Sequence, residues 1–193
     1  MSRPPARFAD RTADVGDAAQ VARMALRHVA SGVTVLTVNR DGVPHGTTAS
    51  AVVAVSRDPL ILGVCLHPSS SFGSMVRRTG KFSVNVLSSG QTAVARHFAD
   101  PGRPSGHAQF DRLEWSTDTM SGAPLLTGSL AHLSCRTVAR HRVGDHDLLI
   151  AEVTGGTHHT GSPMLSFAGR LHEADITPSP LPLSPTATRS EVS

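Results

Sequence analysis

The segment GVTVLTVNRDGVPHG, residues 32–46, decides the fold class of this 193-residue chain. Its first seven residues alternate and are rich in Val and Thr, a composition typical of a β-strand. Asp41, Gly42 and Pro44 follow, and these residue types mark a turn between two extended runs. We therefore expect a β-hairpin at this point of the chain, with further strands built onto it.

Runs of similar character continue along the chain after this hairpin. Further strands are predicted at residues 47–56, 60–66, 81–87, 129–140 and 148–155. Two short helices interrupt them, at residues 71–79 and 90–99, and Ser88 and Gln91 have capping-box spacing at the start of the second. Strands do not alternate regularly with helices of about 10 to 15 residues, so a doubly wound parallel sheet is disfavoured. We expect a mainly β domain, an antiparallel barrel with peripheral helices.

A helix is predicted ahead of the barrel, and polar segments flank the folded unit. Asp17 and Gln20 have the spacing of a capping box. One helical face then follows as far as Ser31 and Gly32, formed by Val21, Met24, Ala25, His28 and Val29. The domain organisation predicted is a flexible arm at 1–16, one domain at 17–176, and a disordered tail rich in Pro, Ser and Thr at 177–193.

Composition argues against several classes of protein. The net charge is +3, there is no Tyr and only one Trp, and no basic run is present, so nucleic acid is not expected as a partner. No apolar run is long enough to cross a membrane, and the N-terminal residues do not resemble a secretory signal, so we expect a cytoplasmic protein. Cys65 and Cys135 lack metal or redox spacing and are predicted to be small buried side chains.

Familiar cofactor and catalytic motifs are missing from the sequence. No two glycines are separated by a single residue, which excludes the G-x-G-x-x-G dinucleotide fingerprint. Neither a Walker A loop nor a G-x-S-x-G nucleophile elbow occurs. The eleven histidines show no metal-ligand spacing, and His158 and His159 are predicted in a turn rich in Gly and Thr. We therefore assign no metal site.

Three other segments are unusual for their positions. GTTAS, residues 46–50, begins a strand with small and hydroxyl residues, which leaves backbone N–H groups accessible. HPSSSFG, residues 67–73, ends a strand and begins a helix, an arrangement in which backbone amides and hydroxyls hold a phosphate. GDHDLLIAEV, residues 144–153, places Asp145 and His146 in a turn. Each segment also has an ordinary explanation, respectively tight packing, a serine N-cap and a turn histidine.

Taken together, these segments resemble the short-chain flavin reductases, which have the FMN-binding split-barrel fold and serve two-component flavin-dependent monooxygenases. The similar stretches are ASGVTVLT, DGVPHGTTASAVVAVSRDPLILGVCLHPSSS, GKFSVNVL, GDHDLLIAEV and LSFAGRLH, all within residues 30–172. The resemblance implies a mainly antiparallel, Greek-key-like split β-barrel.

The resemblance also implies the residues that bind ligands. Those implied for the flavin, FAD or FMN, are Thr47, Thr48, Ala49, Ser50, Val64, Cys65, Leu66, Ser69, Ser70, Ser71 and Phe98. Of this set, Ser69, Ser70 and Ser71 would take the flavin phosphate. Those implied for NADH or NADPH are Ser31, Gly32, His146 and Arg170. No catalytic side chain is needed, because the hydride passes directly between two cofactors.

The activity implied is that of an NAD(P)H:flavin oxidoreductase, which releases reduced flavin to a separate oxygenase, and the assembly implied is a homodimer. Two alternatives stay open. One is an enzyme that retains its flavin and reduces another acceptor, and the other is a non-catalytic flavin-binding protein. Dependence of nicotinamide oxidation on added flavin would separate the three.

Overall fold

The structure is a computed structural model, and it describes residues 16–174 and residue 176. The predicted tail at 177–193 lies outside the described residues. So does the predicted N-terminal arm, except for Gly16, which begins the first helix. The predicted domain at 17–176 is therefore the part of the chain that the structure describes.

Twelve strands and three α-helices make up the described part of the chain. Helices α1 to α3 span Gly16–Leu26, Ser71–Thr79 and Thr92–Ala99. Strands β1 to β12 span Ser31–Gly32, Thr34–Arg40, Val43–Ala49, Val52–Arg57, Leu60–Leu66, Lys81–Val86, Trp115–Thr117, Pro124–Leu126, Ala131–Val143, His146–His158, Met164–Phe167 and Arg170–Glu173. Every pair of neighbouring strands is antiparallel.

The main sheet has seven strands in the order β3-β2-β6-β9-β10-β5-β4. Its two outermost strands, β3 and β4, are consecutive in the chain and joined only by Ser50 and Ala51. Three Cα steps span at most about 11 Å, so the sheet must curl until its two edges meet. The predicted split barrel is confirmed, and the split lies where β3 gives way to β4.

The hairpin predicted from residues 32–46 is confirmed. Asp41 and Gly42 both have positive φ, 54° and 82°, and Arg40 pairs with Val43 across a two-residue turn. Two positive φ values are the backbone of a type I′ turn, which matches the twist of the strands on either side.

The single strand predicted over residues 47–56 is wrong. It breaks at Ser50 because β3 pairs with β2 while β4 pairs with β5, at the other edge of the sheet.

Strand β2 is buried on both of its faces, from Thr34 to Val38. Its side chains alternate between two clusters because successive residues of a strand point to opposite faces. One cluster fills the barrel and includes Leu36, Val38, Leu62, Val64, Phe72 and Phe82. The other lies between the barrel and α3 and includes Val33, Val35, Leu87, Ala95, Phe98, Phe110 and Met164.

Helix α2 has the bounds that the sequence predicts. Ser70 caps its N-terminus, and Gly80 ends it with a φ of 67°. The capping box predicted between Ser88 and Gln91 is also present, at a 3₁₀ turn that precedes α3. Both helices pack one side against the barrel.

Helix α1 differs from its prediction. It ends at Leu26, several residues earlier than expected, and its apolar side chains are exposed rather than packed against the barrel. Val21, Met24, Leu26 and Val29 retain between 56% and 70% of their accessible surface. In the described part of the chain, no helix has the length and apolar character to cross a membrane.

Strands β7, β8, β11 and β12 were not predicted, because each has only three or four residues.

A buried carboxylate holds the β7–β8 hairpin on the sheet. The Asp118 carboxylate accepts hydrogen bonds from the Ser83 hydroxyl at 2.6 Å, the Ser121 hydroxyl at 2.8 Å and the Met120 N–H at 2.9 Å. Burial opposes ionisation of Asp118, but these donors outweigh it and lower its pKa.

Candidate functional site

A cavity of about 650 Å³ opens at the split of the barrel. Its walls come from β3 and the β3–β4 linker, from the end of β5 with the start of α2, and from the loop after α3. The lining residues are His45, Thr47, Thr48, Ala49, Ser50, Ala51, Cys65, Leu66, His67, Ser70, Ser71, Pro101, Arg103, Pro104, Ser105 and Gln109. A cavity of this volume lies within the range that holds a nucleotide-sized ligand.

Eight of the eleven residues predicted for the flavin line this cavity, namely Thr47, Thr48, Ala49, Ser50, Cys65, Leu66, Ser70 and Ser71. The other three lie elsewhere. Val64 is fully buried in the barrel core, and Phe98 is fully buried in the cluster beside α3. The Ser69 hydroxyl forms a 2.7 Å hydrogen bond with His67 Nδ1. We therefore place Val64 and Phe98 in the core and not in the cavity wall.

The prediction that both cysteines are buried is wrong for Cys65. This thiol is exposed and free, whereas Cys135 is buried and free. The strand alternates, so the buried Val64 and Leu66 on one face put Cys65 on the other. Cys65 consequently faces the cavity.

The serines of α2 have separate roles, and the ordinary explanation is confirmed for Ser70. Its hydroxyl oxygen accepts the Gly73 N–H at 3.3 Å and so caps the helix. Ser71 is the first residue of α2, and its side chain is exposed to the cavity. The first turn of α2 has no acidic residue. Because the first N–H groups of a helix lack partners within it, the positive end of the α2 dipole faces the cavity.

Strand β3 is held from behind by α3. The Thr48 hydroxyl donates to the Ala95 carbonyl at 2.6 Å, which leaves Thr47 as the unattached hydroxyl of the pair. Gly46 packs directly on the buried ring of Phe98, where a Cβ atom would lie only 2.5 Å from Phe98 Cε1. Gly46 is therefore required by close packing, and Phe98 contributes to the site by supporting the strand that lines it.

The third wall of the cavity was missed by sequence reasoning. Arg103 donates from Nη2 to the Gly46 carbonyl at 2.8 Å and from Nη1 to the Asp100 carbonyl at 2.8 Å. Gln109 accepts the Gly46 N–H at 3.2 Å, and its amide nitrogen lies 3.3 Å from His45 Nδ1. In the sequence, Arg103 belongs to an unremarkable loop rich in Pro and Gly, and only the fold brings it to residues 45 and 46.

His45 is neutral at physiological pH. Burial, and to a smaller extent the positive charge of Arg103, together lower the pKa of its imidazole to about 4. Among residues 16–174 and 176, no acidic side chain lines the cavity. Arg103 is thus the only fixed formal charge on its described walls, and the cavity is suited to an anionic ligand.

His146 lies beside the cavity rather than within its lining. Its ring is perpendicular to that of His67, with the centroids 6.0 Å apart, and its Nδ1 lies 2.8 Å from the Asp145 carboxylate. The hydrogen bond and the charge of His146 lower the pKa of Asp145. A second cavity, of about 310 Å³, shares Leu66 and His67 with the first.

The other residues predicted for the pyridine nucleotide belong to the small sheet β1-β11-β12. Ser31 and Gly32 pair with Ser166 and Leu165, and Arg170 begins β12. None of the three lines the main cavity. The structure brings Ser31, Gly32 and Arg170 onto one sheet and His146 beside the cavity.

No group of three or more potential metal ligands occurs within the described ranges. The prediction that His158 lies in a turn is wrong, since this residue ends strand β10. His159 follows it immediately and donates its N–H to the Leu130 carbonyl.

The residues present fit a flavin nucleotide. The cavity combines small and hydroxyl-bearing residues at 47–51, the dipole of a helix N-terminus, a positive charge and, in the described chain, a wall without carboxylates. These are the features that a planar ring with an attached phosphate requires.

Known proteins resemble this chain over most of its length. The NADPH-flavin oxidoreductase of Streptomyces viridifaciens is 41% identical over 151 residues, which cover 78% of each chain. The reductase component of a 4-nitrophenol monooxygenase from Rhodococcus opacus is 34% identical over 150 residues, 77% of each chain.

A solved structure shows the same fold. It is an NADH:FAD oxidoreductase of Streptomyces globisporus in complex with NAD and FAD fragments, 32% identical with a TM-score of 0.76, and the match covers 89% of this chain and 99% of that one. The model of the flavin reductase like domain family matches residues 26–175. This protein therefore belongs to the flavin reductase like domain family.

Proposed function

We propose that this protein is an NAD(P)H:flavin oxidoreductase that reduces FMN or FAD and delivers the reduced flavin to a separate flavin-dependent oxygenase. One observation carries the proposal: the cavity at the barrel split joins a helix N-terminus, accessible backbone and an arginine without any lining carboxylate in the described chain. The relatives named above are an NADPH-flavin oxidoreductase and the reductase component of a monooxygenase.

In this proposal, the flavin ring lies along Thr47, Thr48, Ala49 and Ser50. Backbone N–H groups of this segment hydrogen-bond the ring, and Cys65 and Leu66 supply the facing surface. The phosphate lies at the N-terminus of α2, where Ser71 adds a hydroxyl donor and Ser70 fixes the helix by capping it. When bound, the flavin supplies the redox chemistry by accepting a hydride from a nicotinamide.

The chain itself contributes binding and orientation. Strand β3 is fixed by Phe98, by the Thr48 bond to α3 and by the Arg103 bond to Gly46, so the ring meets a rigid wall. Rigid placement converts an encounter between two cofactors into a reaction of one complex. Backbone donors that face the ring stabilise the negative charge that develops on it during reduction.

The nicotinamide side is assigned to His146, which lies beside His67 at the edge of the cavity. Ser31, Gly32 and Arg170 stay predictions from the family resemblance. The second cavity, which shares His67 with the first, is lined by Arg77 and by the ion pair of Arg140 with Asp147.

We assign a homodimer as the assembly. Two apolar surfaces are uncovered in the single chain: the face of α1, and the outer face of β4 and β5 with Val53, Val55 and Leu60, each more than half exposed. Strand β4 is also an edge of the main sheet. Light scattering coupled to gel filtration should give twice the chain mass.

A cytoplasmic location stays a prediction, supported by two free thiols.

The activity is tested by following nicotinamide absorbance with NADH or NADPH, each with FMN, FAD or no added flavin. Oxidation that depends on added flavin and saturates with it supports the proposal. Oxidation without added flavin, by protein that keeps its flavin through purification, would indicate a flavoprotein that reduces another acceptor. Flavin binding without any nicotinamide oxidation would indicate a binding protein and would overturn the proposal.

A further inference from the structure

The orientation of the Gln109 side chain is fixed by its neighbours. Its Oε1 accepts the Gly46 N–H at 3.2 Å and lies 3.4 Å from Arg103 Nε, a second donor. An amide oxygen that accepts twice leaves the amide nitrogen to face His45 Nδ1 at 3.3 Å, and that nitrogen can only donate. Gln109 therefore offers Nδ1 of His45 a donor and no acceptor.

Arg103 Nη2, 3.5 Å from Nε2 of the same ring, can also only donate, and a neutral imidazole accepts at one nitrogen. The nearer contact, at Nδ1, favours the tautomer that accepts there and carries its hydrogen on Nε2. Nε2 lies 3.5 Å from Nη2 of Arg103, which is itself a donor and gives one hydrogen to the Gly46 carbonyl. In residues 16–174 and 176, Nε2 has no other hydrogen-bond partner. In this tautomer, two N–H donors stand side by side on the cavity wall without an acceptor between them.

The surroundings favour an anionic acceptor. Both side chains line the cavity and are only partly exposed, and no lining residue of the described chain is acidic. The nearby Asp100 carboxylate is engaged by the Gly102 N–H at 2.8 Å. A charge-assisted pair of donors in a partly buried wall is a common arrangement for binding a phosphate oxygen.

From this geometry we infer that Arg103 and His45 form a second phosphate-binding subsite of the cavity, in addition to the one at the N-terminus of α2. A mononucleotide flavin has a single phosphate and needs only the α2 subsite. A dinucleotide, either FAD or the pyridine nucleotide, has a second phosphate for the Arg103–His45 pair. The inference rests on the proposed function and makes this wall a determinant of which nucleotide the protein prefers.

The test measures binding of riboflavin, FMN and FAD by fluorescence quenching, without turnover. Arg103→Gln should raise the Kd for FAD about tenfold, while the Kd for FMN and riboflavin changes less than about twofold. His45→Phe keeps the ring and removes the donor, and should raise the Kd for FAD about threefold. Arg112→Gln removes an exposed charge of the same segment and should change none of these constants.

A second arm identifies the source of the phosphate. If Arg103→Gln leaves FAD binding unchanged but raises the KM for NADH or NADPH at least fivefold at saturating FMN, the subsite belongs to the pyridine nucleotide, and the inference stands. Equal losses for riboflavin and FAD would show that Arg103 only supports β3. Equal losses for FMN and FAD would show that it binds the first phosphate. Either result, or no change in any constant, overturns the second subsite.

Different results would disprove the inference and the proposed function. Wild-type protein that binds FAD and FMN but oxidises no nicotinamide would disprove the reductase activity. The binding arm would still measure the effect of Arg103 and His45 on the two flavins.

Discussion

The two polar walls of the cavity present hydrogen-bond donors by different means. At the α2 wall, the donors are backbone N–H groups and the Ser71 hydroxyl, and the favourable field comes from the helix dipole. At the Arg103 wall, the donors are side chains, and the field comes from a formal charge held by hydrogen bonds to Gly46, Asp100 and Gln109.

The two walls also differ in how strongly a single substitution should affect them. The donors named at the α2 wall are backbone N–H groups and a hydroxyl, so the loss of one side chain should leave most of them in place. The Arg103 wall depends on a network in which every member positions another. The predictions below test this contrast, in order of decreasing effect.

Loss of the Phe98 ring, which supports strand β3 from behind, should have the largest effect. Phe98 is fully buried beneath Gly46, so Phe98→Ala should lower the free energy of unfolding by about 3 to 5 kcal/mol. The loss should also weaken binding of every flavin, since β3 lines the cavity. Urea denaturation monitored by circular dichroism measures the stability. Phe167→Ala, at a partly exposed ring, is the control, and an equal loss in both variants would contradict the role of Phe98.

The Arg103 wall should make stability depend on pH. The pKa of His45 is lowered from 6.5 to about 4 in the folded protein, so the unfolded chain binds more protons between these values. The free energy of unfolding should therefore fall by about 2 kcal/mol as the pH drops from 6.5 to 4, after allowance for solvent screening of the partly exposed ring. Burial is the main cause of the shift, and the charge of Arg103 is the second.

His45→Gln isolates this dependence from that of the carboxylates. Denaturation midpoints of the two proteins should converge as the pH falls from 6.5 to 4, because only the wild type loses this contribution. Curves that stay parallel over that range would show that His45 titrates normally and that the wall is hydrated.

The α2 wall should separate stability from binding. Ser70→Ala removes a helix cap and should lower the free energy of unfolding by about 1 kcal/mol, whereas the exposed Ser71→Ala should leave it nearly unchanged. The double variant should raise the Kd for FMN several-fold. Unchanged FMN affinity in the double variant would place the flavin phosphate elsewhere.

The smallest effect is expected outside both walls. His146→Ala should raise the KM for the pyridine nucleotide about threefold to fivefold, while the Kd for FMN stays at the wild-type value. His141→Ala, at an exposed histidine of β9, is the matched control. Loss of FMN binding in His146→Ala would move this histidine from the nicotinamide side to the flavin side.

Most of the barrel could be predicted from the sequence because its signals are local. The alternation of residues 32–38, the Asp41–Gly42 turn and the caps at Ser70 and Ser88 act between residues close in the chain. Short strands such as β7 and β11 carry too few residues for a periodic signal. The break of the predicted strand at Ser50 depends on which partner each half finds across the sheet, and a run of small residues does not encode that choice.

For the candidate site, the sequence by itself determined the segments that form the α2 wall and the β3 wall, since each is contiguous in the chain. Only the tertiary structure decided that Val64 and Phe98 face the core while Cys65 faces the cavity, because sheet curvature sets which face of a strand is covered. It alone also joined His45, Arg103 and Gln109. Up to 64 residues separate these partners in the chain, and their charges and tautomers acquire meaning only once burial and hydrogen bonding bring them into contact.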